Sequence, residues 1–349
     1  MFLPSSKWTW AFFGITIAQC LVSLAMEGYV FGEFQESLHT AGKKTDRPSA
    51  ALTIPTYLAI FIFGFLYQVG LVWDALRLKN TIQVIGVCLY NLGMLIYAAV
   101  EMHQVNEALN QLVITGDIDR DTWSHLQPFL IAAPCVIALG TLLLSFVAWK
   151  LYAEFAWTIY KHISADLRLK RRYLTYQIYI ALLKFDFFFF LGFTVQFLVV
   201  VTHTSQAEKI ITIVAIPVLI ALLFFAAYCV RRESVIGHSA IIVVYFGAMA
   251  YFIFKLVRMY DSSRSGDYKA GRPTLTTFAV LTLGLLVVTI GTAVVCARNF
   301  GKGLRPHIQK RKVPDVGEAV DLKYATYAGS EFNGPSHQLG QVPSRMTID

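Results

Sequence analysis

The chain contains eight windows of at least 19 residues that lack Asp, Glu, Lys and Arg. A bilayer core about 30 Å thick needs about 20 helical residues, and lipid offers no hydrogen-bond partner to a non-helical backbone. We therefore predict an all-α fold, a polytopic transmembrane helical bundle of about eight spans within residues 1–297. The predicted spans are 8–31, 52–73, 81–100, 128–151, 178–201, 210–230, 239–257 and 275–297.

Composition excludes a soluble globular domain and a disordered protein. Of the 349 residues, 56% are hydrophobic and only 15% are charged, whereas an ordinary soluble chain carries about 25% charge. The net charge of +8 comes from basic residues that cluster between apolar spans. A lipid bilayer, with its anionic headgroups, is therefore the expected counter-charge, and nucleic acid is not an expected partner.

The basic residues also predict an orientation. With eight spans, the side that holds both termini carries 19 Lys and Arg residues and the opposite side carries 9. Cytosolic loops are enriched in these residues. We therefore expect the N- and C-termini to be cytosolic.

The connection between spans four and five is predicted to be helical, because residues 141–191 contain neither Gly nor Pro. The two spans would then project into the cytosol as a helical hairpin. Its basic residues allow two interpretations, a solvated loop that obeys the charge rule or a surface for anionic lipid or a partner helix. The candidate surface residues are Arg168, Lys170, Arg171 and Arg172.

Residues 298–349 form a second region, rich in turn residues and poor in large aliphatic residues. This composition predicts a disordered, basic cytosolic tail. Lys310, Arg311 and Lys312 lie near its membrane end, where they act either as an ordinary flank of the last span or as a contact for anionic headgroups.

Lys184 and Asp186 lie inside span five, in the segment ALLKFDFFFFLGF. Ionisable groups at the bilayer centre cost roughly 2.5 to 3.5 kcal/mol each on insertion scales, so each needs a partner or a function. Two residues on a helix span about 200°, which places the two side chains on opposite faces. Asp186 should then meet another helix, where it bonds a polar group such as Asn91 or Gln196 or takes part in ion coupling.

Other polar groups receive structural interpretations. Glu27, near the end of span one, is expected to be an interfacial carboxylate, with Lys255 as a speculative partner. Residues 101–127 are expected to form a hydrophilic loop on the lumenal or exterior side. Gly86 with Gly93, and Gly284 with Gly291, recur at seven residues, which predicts close helix packing along spans three and eight.

No catalytic signature appears in the chain. It contains no HExxH, GxSxG, P-loop or dinucleotide-binding motif. The five cysteines fall in apolar stretches without the spacing of a zinc site. We therefore expect no enzyme activity, no cofactor and no metal site.

Five segments carry a family resemblance: MFLPSSKWTWAF, EGYVFGEFQ, RRYLTYQIYIALLKFDFFFFLGFTVQFL, LTTFAVLTLGLL and NFGKGL. They resemble an uncharacterised family of fungal Golgi apparatus multi-pass membrane proteins, and the resemblance extends over nearly the whole membrane region and leaves the tail uncovered. The resemblance implies a multi-pass protein of the Golgi membrane. It implies no reaction, because the family has no assigned activity.

Two functions fit these observations. The first is the organisation or trafficking of membrane components through the cytosolic hairpin and tail, with membrane or trafficking proteins as partners. The alternative is a secondary transporter that uses Asp186 and Lys184 within the membrane.

Overall fold

The computed structural model describes residues 6–40, 49–116, 118, 121–162, 167–200, 206–260 and 271–302. Within these ranges the secondary structure is entirely helical and forms eight helices, all long and apolar enough to cross a membrane. This confirms the all-α fold and the eight predicted spans. The helices are α1 Lys7–Thr40, α2 Ser49–Arg77, α3 Thr81–Ile114, α4 Thr122–His162, α5 Leu167–Val200, α6 Gln206–Arg232, α7 Val235–Tyr260 and α8 Arg272–Asn299.

Several helices extend beyond the predicted spans. The expected hydrophilic loop over residues 101–127 is wrong, because α3 continues to Ile114 and α4 begins at Thr122. The extension of α3 is amphipathic, and it buries Val105 and Leu109 in one cluster with Ile54 and Leu126. Hydropathy sets the length of the apolar segment, but the helix continues for as long as it has another helix to pack against.

The predicted helical hairpin agrees with the structure on both of its sides. Helix α4 reaches His162, beyond the predicted end of its span at residue 151, and α5 begins at Leu167. Residues 163–166 lie outside the described ranges. The Gly-free and Pro-free segment is thus helical wherever it is described.

Helices α3 and α5 lie at the centre of the bundle. Helix α3 packs against α2, α4, α5 and α8, and α5 packs against α2, α3, α6 and α8. Helix α1 packs against α2 and α4, whereas α6 contacts α5 and α7. Because successive helices are antiparallel, the start of α1 and the end of α8 lie on the same side of the bundle, here called the terminal face.

Phenylalanine rings on α5 fill positions that glycines leave open on its neighbours. Phe185 lies against Gly86 of α3 so closely that a Cβ at this glycine would overlap the ring, and Phe189 lies against Gly93. This agrees with the close packing predicted for span three. The buried rings therefore fix the distance and register between α3 and α5.

The corresponding prediction for span eight is wrong. A Cβ at Gly284 or Gly291 would meet no atom within 4 Å. These glycines lie on an outward side of α8, where Val287 and Val288 are also exposed. A spacing of seven residues places two glycines on one face, but it does not determine which face meets another helix.

The outer surface of the bundle is apolar. Large hydrophobic side chains point outwards on most helices, such as Leu142, which is 71% exposed, and Phe224, which is 73% exposed. A surface of this kind is stable only in a non-aqueous environment. The lipid bilayer is therefore the partner of this surface.

The chain divides into two units, Met1–Arg305 and Pro306–Asp349. The first contains all eight helices. The second, with the predicted tail residues Lys310, Arg311 and Lys312, lies outside the described ranges, so the disorder expected there stays a prediction.

Substitution of Gly86 tests the packing between α3 and α5. Gly86→Leu should lower the free energy of unfolding by about 1–3 kcal/mol, because the new side chain overlaps the buried Phe185 ring. The matched control is Gly284→Leu, which makes the same exchange at an open position on a helix. Thermal unfolding of the purified proteins in detergent measures both, and equal melting temperatures would contradict the packing described here.

Candidate intramembrane polar sites

Asp186 is the most deeply buried ionisable group on α5. Its side chain is 0% exposed. Its Oδ2 accepts a hydrogen bond of 2.7 Å from the hydroxyl of Thr289 on α8, and its Oδ1 has no partner among the described residues. The carboxyl group is therefore anchored at one oxygen and free to bind at the other.

Two tyrosine hydroxyl groups lie near this carboxyl group. The hydroxyls of Tyr179 on α5 and Tyr245 on α7 are 3.2 Å apart, and both are close enough to Asp186 to interact with it electrostatically. The ring of His238 stands edge-on to Tyr179, with centroids 5.3 Å apart. A line of polar side chains thus runs between α5, α7 and α8, from Asp186 to the start of α7.

Lys184 points away from Asp186, as a spacing of two residues predicts. Its ammonium group donates hydrogen bonds to Oδ2 of Asp74 on α2 and, at 2.8 Å, to Oε1 of Gln83 on α3. Gln83 Nε2 also donates to Asp74 Oδ2 at 2.9 Å. These three side chains join α2, α3 and α5 near the terminal face.

This ion pair is partly hydrated, since the side chains of Lys184 and Asp74 are 28% and 40% exposed. Sequence reasoning missed Asp74, which lies directly after the predicted end of span two. The sequence did hold a signal for this pairing. Asp74 is charged and follows the end of span two, on the same side of the membrane as the start of span five, where Lys184 lies. The pair anchors the helices and gives the lysine a partner outside the bundle centre.

Asn91 and Gln196 are both fully buried, but neither contacts Asp186. Asn91 donates to Thr141 Oγ1 at 2.8 Å and accepts from Gln19 Nε2 at 2.9 Å, which links α3 to α4 and α1. Gln196 Nε2 donates to the Tyr97 hydroxyl at 3.4 Å. The four candidate residues therefore do not form one site: Asp186 faces α8, and its partner there is Thr289.

Glu27 is not the interfacial carboxylate that its position suggested. It is only 2% exposed, and it lies close enough to Glu101 of α3, itself 1% exposed, to interact with it electrostatically. The speculative pairing with Lys255 is not formed, and that ammonium group lies 3.8 Å from the ring centroid of Phe197. Glu101 was assigned to a loop, because α3 was expected to end at Val100.

The candidate lipid surface lies at the start of α5. Arg168 and Arg171 are exposed, whereas Lys170 and Arg172 are partly buried. The guanidinium group of Arg172 donates to the backbone carbonyl of Lys302 at 2.6 Å, which joins α5 to the residues after α8. The other three basic side chains at this end of the helix, Arg168, Lys170 and Arg171, are here called the basic patch.

Comparison with known proteins identifies the family. No family model matches the chain, and no solved structure matches it. A UPF0658 Golgi apparatus membrane protein of Schizosaccharomyces pombe is 31% identical over 331 residues, which cover 88% of this chain and 92% of the relative. Since this similarity covers most of both chains, the chain belongs to the UPF0658 family of Golgi apparatus membrane proteins.

Proposed function

We propose that this protein is a secondary transporter of the Golgi membrane and that Asp186 is its coupling group, which binds and releases a proton as a cation crosses in the opposite direction. The observation that supports the proposal is a fully buried carboxyl group with one oxygen held by Thr289 and the other without a partner in the described part of the chain. Intramembrane carboxyl groups are costly, and those that persist commonly line ion or substrate pathways. The proposal assigns the protein no catalytic role.

The surroundings of Asp186 favour reversible binding over a fixed structural contact. Thr289 is a neutral donor, so it does not neutralise the carboxylate as a lysine or an arginine would. Tyr179, Tyr245 and His238 supply further polar groups between α5, α7 and α8. An ion that leaves Asp186 thus has polar neighbours on the side of the terminal face.

Lys184 has a different role in this proposal from the one that the sequence suggested. Its charge is already compensated by Asp74, and Gln83 holds both groups. A partly exposed ion pair of this kind is worth little in stability, roughly 0 to 1 kcal/mol. It fixes the rotation of α5, so Lys184 is a positioning residue for Asp186.

A second candidate function is the organisation or trafficking of membrane components. The observation that favours it is the basic patch, together with the extension of α4 to His162 beyond the predicted span 128–151. Such a surface suits anionic headgroups or an acidic partner protein. Lys310, Arg311 and Lys312 would extend the same charge along the chain.

Substitution of Asp186 separates the two functions. Asp186→Asn keeps the size of the side chain and an oxygen that accepts from Thr289, but it removes the ionisable group. In cells that lack the endogenous protein, this variant should reach the Golgi at normal abundance and fail to rescue the defect of the deletion. The matched control is Asp121→Asn, an exposed aspartate, which should rescue fully.

The reciprocal variant neutralises the basic residues by replacing Arg168, Lys170, Arg171, Lys310, Arg311 and Lys312 with Gln. The transport proposal predicts that this variant rescues. Full rescue by Asp186→Asn, combined with failure of the neutralised variant, would reject transport through Asp186 and favour the organising role.

We also propose that both termini face the cytosol, because the terminal face carries the excess of Lys and Arg. The chain has no natural Asn-x-Ser/Thr acceptor, so introduced acceptors report orientation without background. Asp119→Asn combined with Asp121→Thr places an acceptor between α3 and α4, and Tyr324→Asn places one in the tail. Only the first should be glycosylated, and glycosylation of the second would reverse the proposed orientation.

A further inference from the structure

A second buried acidic site lies apart from Asp186, between α1 and α3. Glu27 and Glu101 are almost completely buried and are close enough to repel each other when both are ionised. Neither forms an ion pair with a Lys, Arg or His of the described ranges. Two adjacent carboxylates in a bundle interior are unfavourable unless a positive charge compensates them.

Neutral polar groups surround the two glutamates. Tyr57 of α2 and Tyr97 of α3 are buried, and both lie within electrostatic range of Glu101. Gln104 lies one turn beyond Glu101 on α3, near the hydroxyl of Tyr57. Gln196 of α5 reaches the same region through its bond to the Tyr97 hydroxyl. Side chains of four helices therefore lie within electrostatic range of Glu101 or hydrogen-bond to Tyr97, one turn before it on α3.

Many of these oxygens have no hydrogen-bond partner among the residues that the structure describes. They are Oε2 of Glu27, both carboxyl oxygens of Glu101, and the amide oxygens of Gln104 and Gln196. Gln104 is 2% exposed and Gln196 is fully buried, so water does not reach them freely. Buried polar atoms without partners are rare in folded proteins, and several of them in one place point to a ligand that they bind.

The chemistry of the donors identifies the class of ligand. The carboxyl and amide oxygens among these atoms are ligands that hard cations such as Ca²⁺, Mg²⁺ and Mn²⁺ prefer, whereas zinc and copper favour nitrogen and sulfur. Nε2 of Gln104 also lacks a partner among the described residues, but it is a donor and not a cation ligand. Within the described ranges no three His, Cys, Asp or Glu side chains are grouped to hold a metal. A divalent ion at this site would therefore be bound by two carboxylates, which balance its charge, and by neutral oxygens.

We propose that Glu27 and Glu101, with the amide oxygens of Gln104 and Gln196, bind a hard divalent cation. Gln196 lies ten residues beyond Asp186 on α5, which is about 15 Å along the helix axis. One helix thus connects the cation site with the coupling carboxyl group. This inference rests on the proposed function, because it names divalent cations as the class of substrate that the transporter carries. Binding of the cation at the site can nevertheless be measured without measuring transport.

Thermal unfolding of the full chain, purified in detergent, tests the site. Addition of CaCl₂, MgCl₂ or MnCl₂ should raise the melting temperature with a saturable dependence on concentration, and NaCl at matched ionic strength should not. Glu101→Gln and Glu27→Gln should each weaken the apparent affinity at least tenfold. Glu107→Gln, an exposed glutamate six residues further along the same helix, should bind as the wild type does.

Two results would overturn the proposal. One is the absence of a saturable shift in the wild type with all three divalent cations. The other is unchanged affinity in Glu101→Gln or in Glu27→Gln, whichever is recovered folded. Asp186→Asn should retain binding, so that failure of the cation site and failure of coupling through Asp186 are separate outcomes.

Discussion

Hydrocarbon offers no hydrogen-bond partner, so the polar side chains of the eight helices must find partners on one another. The interior of the bundle reflects this constraint at each depth. Near the terminal face, Lys184, Asp74 and Gln83 satisfy one another across three helices. Further in, Gln19, Asn91 and Thr141 connect α1, α3 and α4. These contacts fix which face of each helix points inwards.

Helix α5 connects this framework to the candidate sites. Its phenylalanine rings pack against glycines of α3, and the ion pair between Lys184 and Asp74 holds α5 in the half of the helix nearer the terminal face. With rotation and register set in this way, Asp186 faces α8, where Thr289 donates a hydrogen bond to it. The two acidic sites differ from the ion pair near the terminal face, because carboxyl oxygens at both sites lack partners among the described residues whereas Asp74 is paired with Lys184. The side-chain oxygen and nitrogen of Asn91 both form hydrogen bonds, whereas one oxygen of Asp186 and both oxygens of Glu101 have no partner among the described residues. Those two carboxyl groups can therefore still bind a ligand.

The sequence was sufficient to predict the eight helices, since the length and apolarity of a segment determine whether it spans a bilayer. It also predicted that Lys184 and Asp186 face different neighbours, because that follows from helix geometry alone. The partners Asp74 and Thr289 could not be predicted, because hydropathy gives the depth of a residue and not the identity of the helix beside it. The burial of Glu101 was missed for a related reason. The apolar segment of span three ends at the membrane boundary, whereas α3 continues beyond it because its extension packs against other helices.

The central claim is that ions move through this bundle by way of Asp186, and flux in vesicles tests it most directly. The purified full chain is reconstituted with a pH-sensitive dye inside the vesicles, and a gradient of Ca²⁺, Mg²⁺ or Mn²⁺ is imposed. The account predicts that at least one gradient changes the internal pH in wild-type vesicles and that Asp186→Asn abolishes the change. An equal pH change with Asp186→Asn, or none with any gradient in the wild type, would contradict it.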